Sequence, residues 1–243
     1  MKQSYRRTVS AVIGESDIVI YVLDARFAKE SRNKDVEMLI KRKGKKVIFA
    51  LTKCDMAGGS RIDLPADIKP FVMVSAKDYH GISKLKLMIL IEAKRRKTTR
   101  LMVGVIGYPN VGKSSLINAI TGRGSAPTSS QSGFTKGKQY IAAGKFLLID
   151  TPGVIPLREG FGFKHIQLAA IPYTVDAHMA ALKLLEENPG AVESYLKVAV
   201  QEDKEETLKE IAIKNAFLLK GGIADVNRAS KFILRLYQEG KFR

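Results

Sequence analysis

The sequence predicts an α/β fold: a three-layer domain built on a parallel sheet, followed by a small all-α domain. Three observations carry this. Short, near-continuous apolar runs alternate with amphipathic segments through residues 18–149. A glycine-bearing loop, Gly107-Tyr108-Pro109-Asn110-Val111-Gly112-Lys113-Ser114, separates one such run from a segment of helical pattern. Past about residue 160 only helix-spaced patterns remain. Strands covered by helices on both faces read as unbroken Val/Ile/Leu runs, which is why the first part predicts a parallel sheet.

In chain order, residues 18–23 predict the first strand, which runs into Asp24-Ala25-Arg26. Residues 35–43 form an amphipathic segment, residues 47–51 a second strand, residues 56–69 a loop-rich stretch, and residues 71–74 a third strand. Leu85, Leu87, Met88, Leu90 and Ile91 fall at helical spacing within residues 83–96. Residues 101–106 give the strand before the glycine loop, and residues 115–120 open the helix after it. Residues 121–138 are rich in Gly, Ser and Thr without a period; a loop of that length is usually functional or disordered. Residues 145–149 predict a further strand ending on Asp150-Thr151-Pro152-Gly153. Helices are then expected at 176–187, 191–200 and 205–218, with Asn188-Pro189-Gly190 and Gly221-Gly222 as breaks and Asp225 capping a last helix that ends near Gln238. The expected domains are residues 1–160 and 161–243.

The glycine loop fits G-x-x-x-x-G-K-[ST] between a strand and a helix, the setting in which this pattern binds phosphate. Backbone N–H groups and the helix dipole favour the anion. Lys113 would reach the β/γ-phosphates and the Ser114 hydroxyl would sit on Mg²⁺. The expected nucleotide contacts here are Pro109, Asn110, Val111, Gly112, Lys113, Ser114 and Ser115. Thr52-Lys53-Cys54-Asp55 follows the second strand. The Asp55 carboxylate can accept from both N1–H and the exocyclic amine of guanine; adenine would leave a buried acid unpaired. The Lys53 stem would lie along the base. Ser75-Ala76-Lys77 follows the third strand, and the Ala76 N–H could donate to guanine O6. Asp150 would hold Mg²⁺ through water and Gly153 would approach the γ-phosphate. Thr135, within Gly133-Phe134-Thr135, is the expected second Mg²⁺ hydroxyl. Lys113, Thr135 and Gly153 are the expected catalytic residues.

The chain has 243 residues and a net charge of +17. Residues 1–100 hold 23 Lys and Arg against 11 Asp and Glu, and residues 1–160 together account for +16. One nucleotide with its metal uses little of that, so a polyanionic partner is expected. The candidate surface is residues 41–46 and 94–100, with Lys231, Arg235 and Lys241 adding orientation. No aromatic-rich single-strand signature and no zinc-ligand spacing is present. No apolar run reaches the roughly 18 residues of a membrane span, and residues 1–7 show no secretory signal. The single cysteine, Cys54, excludes an internal disulfide framework and suits a cytoplasmic setting.

In order, the motifs run T-K-C-D, S-A-K, G-Y-P-N-V-G-K-S, G-F-T, D-T-P-G. Conventional GTPases place the phosphate loop first, so the chain resembles the circularly permuted P-loop GTPases of the YlqF/YawG group. Asp24-Ala25-Arg26 is similar to that group's D-A-R element, and residues 220–241 resemble its helical C-terminal module. The resemblance implies GTP/GDP and Mg²⁺ as ligands, slow GTP hydrolysis, and a role in assembling the large ribosomal subunit. It also implies contact with ribosomal RNA or a subunit precursor, and the chain is expected to be monomeric. Two alternatives stay open: a GTP-regulated RNA-binding scaffold with little hydrolysis, or a GTPase acting on tRNA or a protein complex.

Thr52 stands where that group most often has asparagine, which is expected to weaken the link back to the phosphate loop. Val154 occupies the position of the water-orienting glutamine of Ras-like proteins. By resemblance, Asn110 is a candidate K⁺ ligand that would offset the missing group; the alternative is that it serves only a left-handed turn. The group's N-terminal catalytic histidine has no counterpart, and His80 reads as a surface residue.

Overall fold

Six strands form one sheet: β1 (Ile18–Asp24), β2 (Lys46–Thr52), β3 (Phe71–Met73), β4 (Leu101–Gly107), β5 (Gln139–Ala143) and β6 (Phe146–Asp150). Their order is β3-β2-β1-β4-β6-β5, with β5 antiparallel to β6 and every other pairing parallel. The computed structural model describes residues 2–57, 64–96, 100–122, 139–150 and 177–242. The chain divides into two compact units, Met1–Gly160 and Phe161–Arg243.

All seven residues of β1 are buried, as an unbroken apolar run requires of a central strand. Successive side chains alternate between faces. Val19, Tyr21 and Leu23 meet Val9, Val12 and Ile13 of α1 (Lys2–Glu15) and Val36 and Ile40 of α2 (Lys34–Arg42) in one core cluster. On the other face lie α3 (Ile82–Arg95) and α4 (Lys113–Thr121), which contact each other. Leu85 and Ile89 of α3 and Leu116 and Ile117 of α4 are fully buried. This is the three-layer arrangement the sequence predicts.

Two elements escape the pattern reading: α1, whose apolar residues are few, and β5, an edge strand. Asn33 caps α2 by accepting from Asp35 N at 3.0 Å, and Tyr21 Oη accepts from Asn33 N at 2.6 Å, so the cap is fastened to the sheet.

The second unit is helical where it is described: α5 (Ala177–Glu187), α6 (Ala191–Leu196), α7 (Lys204–Lys214) and α8 (Val226–Gln238). Leu184, Leu185, Val192, Leu208, Ile211 and Ile233 fill its core. Two helices stop earlier than periodicity suggests. Lys197 turns left-handed at φ 55 and ends α6; α7 ends at Lys214, and Ala216 takes φ 54 just beyond it. Residues 217–225 then form a turn closed by the Leu218–Ala224 bridge. Asp225 caps α8, accepting from Arg228 N at 2.9 Å.

Candidate nucleotide site

Strand order decides where the motifs meet. From β1 the chain proceeds outward to β2 and β3, returns to β4 on the other side of β1, and continues to β6. The direction reverses between β1 and β4. In open parallel sheets, the crevice beyond the strand C-termini at such a reversal is the ligand site. Asp24, the Thr52–Asp55 loop, the Ser75–Lys77 loop, the phosphate loop and Asp150 all follow or end strands at that edge.

The phosphate loop needs its glycines. A Cβ on Gly107 would lie 2.5 Å from the Val22 carbonyl oxygen, so a larger residue would part β4 from β1. Gly112 adopts φ 96, a left-handed conformation that side chains disfavour, and starts α4. Asn110 is also left-handed, at φ 58, and its side-chain nitrogen is buried without a hydrogen-bond partner among the described residues. Among the described residues no side chain caps α4, so its first-turn N–H groups and positive dipole end face out of the helix start. Pro109 and Val111 are buried, Ser114 is half-buried and Ser115 exposed.

Lys113 opens α4 and is 7% exposed; its ammonium donates to the Tyr108 carbonyl at 2.6 Å. Burial pushes its pKa down to about 8, against the opposing pull of Asp150. Asp150, the last residue of β6, is fully buried.

The base-side loop is tied to the phosphate loop at two points. Thr52 Oγ1 lies 2.9 Å from the Leu23 carbonyl and also reaches the Val111 carbonyl. One hydroxyl proton serves one acceptor at a time, yet the link expected to weaken with threonine is present. Lys53, left-handed at φ 57, sends its ammonium to the Asn110 carbonyl at 2.6 Å and to Asp24 Oδ2 at 3.0 Å. Arg26 forks onto the same carboxylate, with Nε to Oδ1 at 2.9 Å and Nη2 to Oδ2 at 2.8 Å. Burial raises the Asp24 pKa, but Lys53 and Arg26 outweigh it and hold the carboxyl below its ordinary value.

Asp55 is exposed in a 3-10 turn, Cys54–Met56. The sequence predicts a buried acid here; with Asp55 exposed, the expected discrimination against adenine would require a bound base to cover the carboxylate. Cys54 N donates to the Val74 carbonyl at 3.3 Å, joining this loop to Ser75-Ala76-Lys77. Ser75 is buried, donates to Asp78 Oδ2 at 3.0 Å and accepts from Asp78 N at 3.1 Å, while Ala76 is half-buried and Lys77 exposed. His80 is exposed. Thr135, Gly153 and Val154 lie outside the described residues.

Asp24 and Arg26 are the residues whose part sequence reasoning left unassigned. An acid closing a fully apolar run signals that a buried charge needs partners. For Mg²⁺, the donor set fits: a buried carboxylate on Asp150 and a hydroxyl on Ser114 are oxygen ligands, and this ion keeps waters and phosphate oxygens for its other positions.

A family model described as "50S ribosome-binding GTPase" matches residues 102–216. A GTP-binding protein of Methanocaldococcus jannaschii is 36% identical over 247 residues, covering 99% of this chain and 66% of that protein. Ribosome biogenesis GTPase A of Bacillus licheniformis is 28% identical over 261 residues, covering 98% of this chain and 92% of its own length. The GNP-bound YlqF of T. maritima superposes with a TM-score of 0.59 at 19% identity, covering 98% of this chain and 95% of that one. The chain spans about half the length of the nucleolar GTP-binding proteins it also matches. Strand order, motif order and these likenesses define the class, a P-loop GTPase fold in permuted order. In strand order, motif order and fold the chain is similar to the circularly permuted GTPases of the YlqF type.

Proposed function

We propose that this chain binds GTP with Mg²⁺ at the strand ends, hydrolyses it slowly to GDP and phosphate, and acts in assembly of the large ribosomal subunit. One observation carries the reading. The base-side loop and the phosphate loop are fastened together, through Lys53 to Asn110 and Thr52 to Val111, at the point where the sheet reverses. The family description and the name of the Bacillus relative support the ribosomal setting.

Each residue then has a task. First-turn N–H groups of α4, from Lys113 to Ser115, bind phosphate oxygens. Lys113 exchanges the Tyr108 carbonyl for the β/γ-phosphate charge. Asp55 accepts from the guanine N1–H and amine, Ala76 N–H donates to O6, and the Lys53 stem flanks the ring. Ser114, Asp150 and Thr135 would hold Mg²⁺, which when bound neutralises charge on the phosphates. Gly153 approaches the γ-phosphate. Water attacks the γ-phosphorus as the bond to the bridging oxygen breaks, giving GDP and phosphate.

Val154 offers no group to orient that water, so turnover is slow until K⁺ beside Asn110 or the ribosomal particle supplies the missing element. Among the described residues no helix is long and apolar enough to cross a membrane. The chain acts in the cytoplasm as a monomer, docked on a precursor of the large subunit.

Steady-state GTP hydrolysis with and without purified large ribosomal subunits tests the reading. Stimulation by the subunits is the expected result. Binding without stimulation would favour a GTP-regulated scaffold, and no binding would remove the ribosomal role.

A further inference from the structure

We propose that the opposite edge of the sheet, at the strand N-termini, is a docking surface for the phosphate backbone of folded RNA. This rests on the ribosomal reading above and adds where the particle is held. Because β1, β2, β4 and β6 are parallel, everything that starts these strands gathers at one edge and everything that ends them at the other. Lys46 opens β2 beside Ile18, which opens β1; Arg100 precedes β4 and Lys145 precedes β6. Helices that return the chain finish there too, α2 at Arg42 and α3 at Arg95. A strand of seven residues puts this edge about 20 Å from the nucleotide crevice.

Ten described Lys and Arg residues, within 41–46, 94–96, 100 and 145, gather at that edge against Glu15, Asp17 and Glu92. A helix C-terminus attracts one or two cations through its dipole; ten along one edge exceed that need. Much of the acidic complement is committed internally. The largely buried Glu92 carboxylate takes both Lys46 and Arg95 Nη1, the latter at 2.7 Å. Asp17 accepts from Met102 N at 2.8 Å and lies 4.0 Å from Arg96.

Glu92 thus acts as an internal counter-ion that anchors β2 to α3 and takes up Lys46 and Arg95. Lys41, Lys43 and Lys94 are exposed at its rim. The segments 41–46, 94–96, 100 and 145 contain no aromatic residue, so phosphates rather than stacked bases are the contact. Folded RNA offers such phosphates at a density that releases counterions on binding.

The geometry also separates the two ligands. RNA at the strand N-termini leaves the crevice at the strand C-termini open, so nucleotide and RNA bind at the same time.

The test uses the full chain and a labelled RNA hairpin, with binding followed against KCl concentration. Lys41→Ala/Lys43→Ala/Lys94→Ala should flatten the salt slope by about 0.7–0.9 log units per lost contact, so about two units in all. GDP affinity, read on the same protein, should stay at the wild-type value and shows that the variant is folded. The matching triple of Lys→Arg changes should keep the slope. A wild-type slope in the alanine variant would overturn the proposal. So would loss of binding confined to Lys231→Ala/Arg235→Ala/Lys241→Ala, competitive displacement of GDP by RNA, or binding to phosphatidylserine vesicles but not to RNA. Salt-dependent RNA binding by a chain that takes no guanine nucleotide would remove the reading above and leave this surface standing.

Discussion

The Asp24 carboxylate holds the Lys53 ammonium at 3.0 Å across the end of β1. That same ammonium donates to the Asn110 carbonyl at 2.6 Å, so one buried acid on the middle strand fastens the loop after β2 to the loop after β4. Arg26 closes the other side of the carboxylate. The D-A-R element therefore sets the distance between the expected base-binding and phosphate-binding loops.

Replacing Asp24 with Asn leaves Lys53 and Arg26 facing each other without a counter-charge. Breaking a buried pair from one side costs about 3–5 kcal/mol of stability, and here the freed lysine also releases the phosphate loop. Release of a fluorescent GDP analogue should be at least about tenfold faster, roughly 1.4 kcal/mol. Lys53→Met combined with Asp24→Asn should cost no more affinity than Lys53→Met alone. Additive losses would mean that Asp24 acts on the fold and not through Lys53.

Lys113 gives a pH dependence with a defined sign. Its pKa lies at about 8 in the unliganded protein because burial disfavours the charge. Below that pH the ammonium is already formed when phosphate arrives; above it, binding must take up a proton. Affinity for GDP should hold steady from about pH 6 to 8 and fall as pH rises further. Calorimetry at about pH 9 in buffers of different ionisation enthalpy should show net proton uptake, absent from Lys113→Arg. A pH-independent affinity through this window would place the phosphate away from Lys113.

Ser114→Ala removes the hydroxyl expected on Mg²⁺ while leaving the α4 backbone donors in place. Turnover should fall by about two orders of magnitude or more, with the melting temperature nearly unchanged and the Mg²⁺ dependence of GDP binding flattened. Normal turnover would remove Ser114 from the metal site.

Asn110 allows a salt comparison. Turnover in K⁺ should exceed that in Na⁺ at equal ionic strength, and Asn110→Ala should abolish the difference. Because Asn110 is left-handed, Asn110→Gly is the control that keeps the turn but loses the amide. Equal rates in the two salts would leave the ribosomal particle as the activator.

Long apolar runs made most of the sheet legible. Residues 18–23 and 101–106 are strands because central positions in a parallel sheet admit little else. The order of the motifs that follow β2, β3, β4 and β6 pointed to the crevice, since each of these four closes a strand. α1 was missed because Val9, Val12 and Ile13 are a short apolar stripe in a polar segment; their helical spacing becomes telling only once the β1 face they cover is known. β5 was missed because an edge strand carries half the apolar signal: of its residues only Ile141 is buried. The Asp24–Lys53 contact joins residues far apart in sequence and needed the strand order before it could be seen. The exposure of Asp55 also lay beyond sequence reading, because the bound base, rather than the chain, would complete its environment.

Asp55 tests the central claim, that these strand ends form a guanine-nucleotide site, most directly. Asp55→Asn presents an amide donor to the guanine amine, where a carboxylate had accepted, while xanthine carries a carbonyl at that position. GDP affinity should fall by about two orders of magnitude, XDP affinity should rise, and the preference should invert. The measurement is the ratio of dissociation constants for GDP and XDP in wild-type and variant proteins under one set of conditions. An inverted ratio is the result predicted here; an unchanged preference for GDP in Asp55→Asn would contradict the assignment of the site.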